Sequence, residues 1–178
     1  MLMFLGIDCK DALKELKNKC LNYNGDLNIS LDAFLLPDHV SLKISFEVDS
    51  NYDKIKEEIT SYFKSIKPFY IKFKTIEKLE NIIWIKCAPS KKLLKVHSDL
   101  DNLLESKFNI SKNELDNHFI FHSTIFVDKD NEKLDRMYNL IKTFKVRKKL
   151  LVDTFLIGSS TQGVIGTYKI DEVIKRDY

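Results

Sequence analysis

Two histidines occupy matching short motifs in the two halves of the chain. His39 is followed two positions later by Ser41, and His122 is followed two positions later by Thr124. Residues two apart on a β-strand point to the same face, so each histidine would share a face with a hydroxyl group. Lys43 lies two positions after Ser41 and would point to the same face of the strand as His39 and Ser41. The spacing therefore predicts two imidazole–hydroxyl pairs, with a lysine at the edge of the first.

These side-chain types suit the cleavage of a phosphodiester by acid–base catalysis. In-line displacement at phosphorus needs a base at the attacking oxygen and an acid at the leaving oxygen. Histidine, with an ordinary pKa of about 6.5, serves in either role near neutral pH. The hydroxyl groups can donate hydrogen bonds to the non-bridging oxygens, where charge must be stabilised in the transition state. Such a site needs no metal ion and no cofactor, and the similarity of the two motifs leaves open which histidine is the acid.

The elements that would carry the motifs follow each other twice in the same order. Each half contains the series strand, helix, strand, helix, strand, with one further strand outside that series. Corresponding elements lie about 80 residues apart, which indicates an internal duplication. The first half predicts strands at 3–7, 32–36, 40–48 and 69–76, a helix from Asp8 to Gly25 and a helix after Ser50. The second half predicts strands at 82–87, 119–127, 150–157 and 164–170, with helices after Ser90 and at 131–145.

The duplication predicts an α+β fold of two pseudo-symmetric lobes, formed by residues 1–78 and 79–178 of a single domain. Two antiparallel-rich sheets would face a central cleft, and the motif strands would bring His39 and His122 to its opposite walls. The alternate residues of the motif strands would then face the core of each lobe: Val40, Leu42, Ser123 and Ile125. Because the chain forms its own cleft, we expect a monomer with no obligate protein partner.

Composition excludes several classes of protein. Hydrophobic residues make up 44% and charged residues 31% of 178 residues, which is typical of a folded soluble chain rather than a disordered one. Cys9, Cys20 and Cys87 are odd in number and widely spaced, unlike a disulfide framework or a zinc ribbon. No signal peptide and no membrane span is predicted, so the expected location is the cytoplasm. The net charge of +3 permits an RNA partner without requiring one.

Paired His-x-Ser/Thr motifs in register with a structural repeat resemble the two-histidine (2H) phosphoesterase superfamily, in its bacterial 2'-5' RNA ligase or cyclic phosphodiesterase branch. The resemblance extends over nearly the whole chain. It implies a bilobal α+β enzyme that acts without a metal on 2',3'-cyclic phosphates, 2'-5' linkages or related cyclic nucleotides. His39 and His122 would then be catalytic, and Ser41 and Thr124 would bind phosphate. Lys43 is predicted to join them, and the expected partner is an RNA end or a cyclic nucleotide.

Other interpretations of the same residues are open. A non-catalytic RNA- or nucleotide-binding module would keep the cleft without turnover. A metal-dependent hydrolase is disfavoured because the four histidines and the carboxylates show no ligand spacing. Phe126 and His118 share the predicted strand face of His122, where Phe126 is expected to pack more than to stack on a base. Tyr168, on the last strand, is a further candidate for the border of the cleft.

Overall fold

The computed structural model describes residues 1–27, 36–146, 149–164 and 167–176. It contains ten strands, four α-helices and a short 3-10 helix at Glu114–His118 among these residues. The strands are β1 (Leu2–Asp8), β2 (His39–Ser41), β3 (Phe46–Glu47), β4 (Phe69–Ile71), β5 (Phe73–Lys78), β6 (Ile82–Cys87), β7 (His122–Val127), β8 (Leu150–Val152), β9 (Thr154–Ser160) and β10 (Tyr168–Lys175). The helices are α1 (Lys10–Leu27), α2 (Tyr52–Ser65), α3 (Lys91–Phe108) and α4 (Asn131–Ile141). The α+β class with antiparallel sheets is confirmed.

Two larger sheets and a strand pair organise the chain. The first sheet has the order β10-β9-β1-β2, with β3 also paired to β1, and the second has the order β5-β6-β7. A separate pair joins β4 to β8, and all of these pairings are antiparallel. The predicted repetition is visible in the element order, because β1, α1, β2 and α2 correspond to β6, α3, β7 and α4.

The sheets do not follow the two halves of the chain. β9 from the second half lies beside β1, and β5 from the first half lies beside β6. Each half therefore contributes a strand to the sheet of the other, and the prediction of one lobe from residues 1–78 and another from 79–178 requires this correction. The pairing of β1 with β9 joins segments about 150 residues apart, which a repeat in sequence does not specify, whereas β5 and β6 form a hairpin across the predicted boundary.

The core face of the first sheet shows why its strands form. β1 is buried on both faces: Met3, Leu5 and Ile7 are fully buried on the core face, and Phe4 and Gly6 are buried on the opposite face. α2 covers the core face: Phe63 stacks on Phe155 of β9 at 4.5 Å between ring centroids. The Tyr52 hydroxyl donates to Asp171 on β10 at 2.5 Å. The buried apolar residues of both sheets and all four helices form one continuous core.

Several element bounds differ from the predictions because the chain bends where the pattern continues. The predicted strand 40–48 is two short strands, since the chain turns at Leu42 and Lys43 after β2 ends at Ser41. Strands 69–76 and 150–157 are each divided into two, α1 extends past Gly25, and α4 ends at Ile141. The last strand begins at Tyr168, later than predicted. The predicted strand at 32–36 lies outside the described residues except for Leu36.

Candidate active site

His39 lies at the start of β2, where its ring is packed against β1. Antiparallel pairing sets His39 opposite Asp8 and Ser41 opposite Gly6. The imidazole of His39 covers Gly6 so closely that a Cβ atom added at Gly6 would lie 2.7 Å from Cδ2 of His39. The Phe4 ring lies 4.9 Å from the imidazole, centroid to centroid. A glycine at position 6 is therefore required for His39 to take this orientation.

His122 lies at the start of β7 and is packed in a corresponding way against β6. Its cross-strand partner is Lys86, and that of Thr124 is Trp84. The Trp84 ring lies 4.3 Å from the His122 imidazole. Each histidine therefore rests against an aromatic ring from the strand next to its own. Such packing restricts the rotamers of both imidazoles.

The two imidazoles make the same hydrogen bond to the backbone. His39 Nδ1 lies 2.7 Å from the carbonyl oxygen of Pro37, and His122 Nδ1 lies 2.7 Å from that of Ile120. Because a carbonyl oxygen only accepts, each Nδ1 must carry the proton, which leaves Nε2 to accept a proton from a ligand or, when protonated, to donate one. Nε2 of His39 lies 3.2 Å from Ser41 Oγ. The predicted imidazole–hydroxyl pair of β2 is thus in contact.

The fold brings the two motif strands together although they belong to different sheets. β2 and β7 contact each other, and the Cys9 thiol donates to Ser123 Oγ at 3.7 Å in the buried layer beneath them. Val40, Leu42, Ser123 and Ile125 are fully buried, as the alternation predicted. His39 and His122 are close enough for a charge on His122 to affect the pKa of His39.

Comparison with known proteins decides the family. The family model described as the 2'-5' RNA ligase superfamily matches residues 8–162. The chain belongs to the 2'-5' RNA ligase superfamily. The resemblance to 2H phosphoesterases is thereby confirmed, and membership supports an enzyme of the phosphoesterase kind acting on RNA. A search of curated proteins finds no match.

Solved structures of low sequence identity share the fold over nearly their whole length. TT0787 of Thermus thermophilus is 13% identical with a TM-score of 0.62, covering 98% of this chain and 97% of its own. E. coli LigT complexed with 3'-AMP is 15% identical with a TM-score of 0.57, covering 99% and 98%. A structure described as a phosphoesterase is 14% identical with a TM-score of 0.57, covering 99% of both chains. These likenesses show that this member of the superfamily has the fold of its relatives.

Lys43 does not join the histidines of this 2'-5' RNA ligase superfamily member. Its ammonium is buried and bound by two carboxylates, at 2.7 Å from Asp101 Oδ1 and 2.6 Å from Asp116 Oδ2. The alternation that pointed it toward Ser41 fails because the strand ends at Ser41 and the chain bends. The side chain therefore joins the bend to α3 and the 3-10 helix. The geometry does not support its prediction as a phosphate ligand.

The other three residues that the sequence offered as candidates for the site are Phe126, His118 and Tyr168. Phe126 is fully buried, in agreement with packing rather than base stacking. His118 is exposed in the 3-10 helix, because β7 begins only at His122. Tyr168 lies with its ring 5.8 Å from that of Phe4 and so borders the residue that packs on His39.

Trp84 and Lys86 are the neighbours of the second motif that sequence reasoning missed. The sequence predicts a strand over Ile82–Cys87, and in the structure its residues alternate between partly exposed and buried. The tryptophan and the lysine occupy the partly exposed face. The lysine is the one charged residue of the segment, and so the one sign in the sequence that this face is open. The position of both residues beside His122 depends on strand register, which alternation alone does not specify.

No helix among residues 1–27, 36–146, 149–164 and 167–176 has the length and apolar character needed to cross a membrane.

Burial lowers the pKa of both histidines below the ordinary value. For His39 the shift comes first from burial, is opposed by the hydrogen bond to Pro37, and is increased by the charge of His122. For His122 it comes from burial and is opposed by the hydrogen bond to Ile120. The two groups therefore compete for protons below pH 6.5, and the first proton bound disfavours the second.

The lowered pKa values of both histidines predict an acidic optimum for activity. An acid–base pair is active when one histidine is protonated and the other is not. The pH dependence of kcat/KM reports the pKa values of both groups in the free enzyme. We expect a bell-shaped profile of kcat/KM with its maximum below about pH 6.5, measured on a 2',3'-cyclic phosphate in buffers of constant ionic strength. An optimum above about pH 7 would contradict the assignment of both limbs to these histidines.

Proposed function

We propose that the protein cleaves or transfers phosphodiesters at RNA ends, with 2',3'-cyclic phosphates and 2'-5' linkages as its substrates, and that it does so without a metal ion. His39 and His122 would act as the acid–base pair, and Ser41 and Thr124 would donate to the non-bridging oxygens. The observation that carries the proposal is the matched pair of imidazoles, each with Nδ1 bound to a backbone carbonyl at 2.7 Å. That arrangement makes Nε2 the atom through which each imidazole would exchange a proton, and in His39 this atom accepts from the Ser41 hydroxyl at 3.2 Å.

The proposed hydrolysis begins with water attacking phosphorus in line with the 3'-oxygen. One imidazole takes the proton of the water as the new P–O bond forms. The bond from phosphorus to the 3'-oxygen breaks, and the other imidazole, protonated at Nε2, gives its proton to that oxygen. The products are a 2'-phosphate and a free 3'-hydroxyl. A 5'-hydroxyl in place of water would give a 2'-5' linkage by the same steps, so one site serves hydrolysis and transfer.

The donor groups support chemistry that does not depend on a metal. Hydroxyls and protonated imidazole can together stabilise the charge that a Lewis acid would otherwise neutralise. Within the described part of the chain, His97, Asp101 and Asp116 are grouped closely enough to hold a metal ion. Lys43 already supplies a cation to the two carboxylates of that group.

Turnover of an RNA oligonucleotide ending in a 2',3'-cyclic phosphate tests this function. We expect conversion to the 2'-phosphate at an unchanged rate in the presence of EDTA, resolved by chromatography against 2'- and 3'-phosphate standards. A rate abolished by EDTA and restored by a divalent cation would support metal-dependent hydrolysis instead. Binding of the RNA without turnover, on 2'-5'-linked RNA as well, would support the non-catalytic binding module.

A further inference from the structure

The two histidines differ in the charge of their cross-strand partners. Asp8 on β1 is paired with His39, whereas Lys86 on β6 is paired with His122. β1 and β6 are corresponding strands of the duplication. Directly paired residues share a face of the sheet, with Cβ atoms about 5 Å apart. The strand pairing therefore places an acidic residue next to the histidine of β2 and a basic residue next to the histidine of β7.

The ammonium of Lys86 is held in place yet open to a ligand. Lys86 Nζ lies 2.9 Å from Glu77 Oε2 on β5, and the two side chains are 33% and 36% exposed. A lysine has three N–H donors, and this ion pair uses one of them. Thr75 Oγ1 also donates to Glu77, at 3.2 Å, and Trp84 Nε1 approaches it at 3.5 Å. Glu77 thus restrains the lysine from a fixed position on the neighbouring strand.

The position of Lys86 suits a second phosphate rather than the reacting one. In the order β5-β6-β7, β6 lies one strand beyond the strand that carries His122 and Thr124, which is a displacement of about 4.8 Å. A phosphate adjoining the reacting group in an RNA chain would meet the ammonium on this side. On the other side it would meet the carboxylate of Asp8, which repels it.

We propose that Lys86 binds the phosphate on the 5' side of the terminal nucleotide and thereby orients the RNA chain across β6. The preferred substrate is then an RNA end, or a nucleotide that carries a 5'-phosphate, rather than a nucleoside cyclic phosphate without one. This inference rests on the proposed function for the location of the reacting phosphate. It adds the substrate polarity, which the near-identical histidine motifs do not specify.

Binding of two non-reacting ligands tests the proposal. Adenosine 3',5'-bisphosphate and 3'-AMP differ only in the 5'-phosphate, and their dissociation constants can be measured by isothermal titration calorimetry. The fluorescence of Trp84, the only tryptophan of the chain, supplies a second readout. We expect the bisphosphate to bind about 10-fold tighter or more, as a charge-assisted contact to one phosphate allows. Lys86→Met should reduce this ratio to about 1 while the affinity for 3'-AMP is retained.

Two further variants separate a specific contact from net charge. Lys78 lies on β5 and is paired with Asp135 on α4, so Lys78→Met removes the same charge from the same sheet and should keep the ratio. Lys86→Arg should retain most of the preference for the bisphosphate over 3'-AMP. A ratio unchanged in Lys86→Met, or equal weakening of both ligands, would overturn the proposal.

Kinetic measurements distinguish failure of this proposal from failure of the proposed function. With adenosine 2',3'-cyclic phosphate, with and without a 5'-phosphate, kcat/KM should show the same ratio and the same dependence on Lys86. Turnover of both at equal rates would overturn the role of Lys86 and leave the function intact. Absence of turnover would overturn the function, while the binding ratio would still decide whether Lys86 contacts the 5'-phosphate.

Discussion

Replacement of His39 or His122 by alanine is expected to lower kcat on a cyclic-phosphate-ended RNA by about 10²–10⁴-fold. In the proposed mechanism each substitution removes either the acid or the base, while the hydroxyls of Ser41 and Thr124 would remain to hold the phosphate. The double variant should be little slower than either single variant, because acid and base act as a unit. Initial rates at substrate saturation measure the effect, after thermal unfolding has shown that the variants fold.

The pH profiles of the same variants assign the two roles. Loss of the base removes the acidic limb, since no group then needs to be deprotonated, and loss of the acid removes the alkaline limb. His118→Ala is the matched control, because that histidine is exposed in the 3-10 helix. A decrease of less than about 10-fold in both His39→Ala and His122→Ala would rule out their proposed roles as acid and base.

Replacement of Lys43 by methionine is expected to lower the free energy of unfolding by about 3–5 kcal/mol. The side chains of Lys43, Asp101 and Asp116 are only 2%, 4% and 0% exposed. Methionine fills similar space but leaves two buried carboxylates without their ammonium. Chemical denaturation at neutral pH, followed by circular dichroism, measures the loss.

Acid should reduce the difference between Lys43→Met and the wild type. Burial by itself raises the pKa of Asp116, but hydrogen bonds from Lys43 and from the backbone of Asn113 and Ile44 outweigh it and hold that pKa below its usual range. A lowered carboxyl pKa contributes stability that is present above the unfolded-state pKa and is lost as pH falls through the folded-state pKa. The variant lacks the contribution of Lys43, so the two proteins should converge in acid.

An exposed ion pair provides the control for this substitution. Lys95 is 65% exposed and pairs with Asp99 one helical turn away on α3. Lys95→Met should therefore cost less than about 1 kcal/mol. If Lys43→Met kept wild-type stability and instead raised KM for RNA, the side chain would be a substrate ligand after all, as its position in the sequence predicted.

Local periodicity accounts for the part of the candidate site that could be predicted. The faces of His39 and His122 follow from side-chain alternation, which depends only on neighbouring residues of an extended chain. The buried positions Val40 and Ser123 between the motif residues follow from the same rule. The duplication in sequence also predicted the order of strands and helices, since each element has its own apolar pattern.

Long-range pairing decided what the sequence pattern left open. The carboxylates that bind Lys43 are 58 and 73 residues away, and the chain bends at that lysine to reach them. The pairing of β9 with β1 likewise depends on hydrogen bonds between distant segments, not on the repeat.

The family, the two histidine–hydroxyl motifs and their faces could be predicted from the amino-acid sequence, because residue type and alternation are local properties. The groups that surround each imidazole are visible only once the chain is folded: Phe4 and Gly6 at His39, and Trp84 and Lys86 at His122. Those neighbours depend on strand register, which is selected by the packing of the whole core. The charge difference between Asp8 and Lys86 arises at that level, and it is the feature that would give a pseudo-symmetric site a direction.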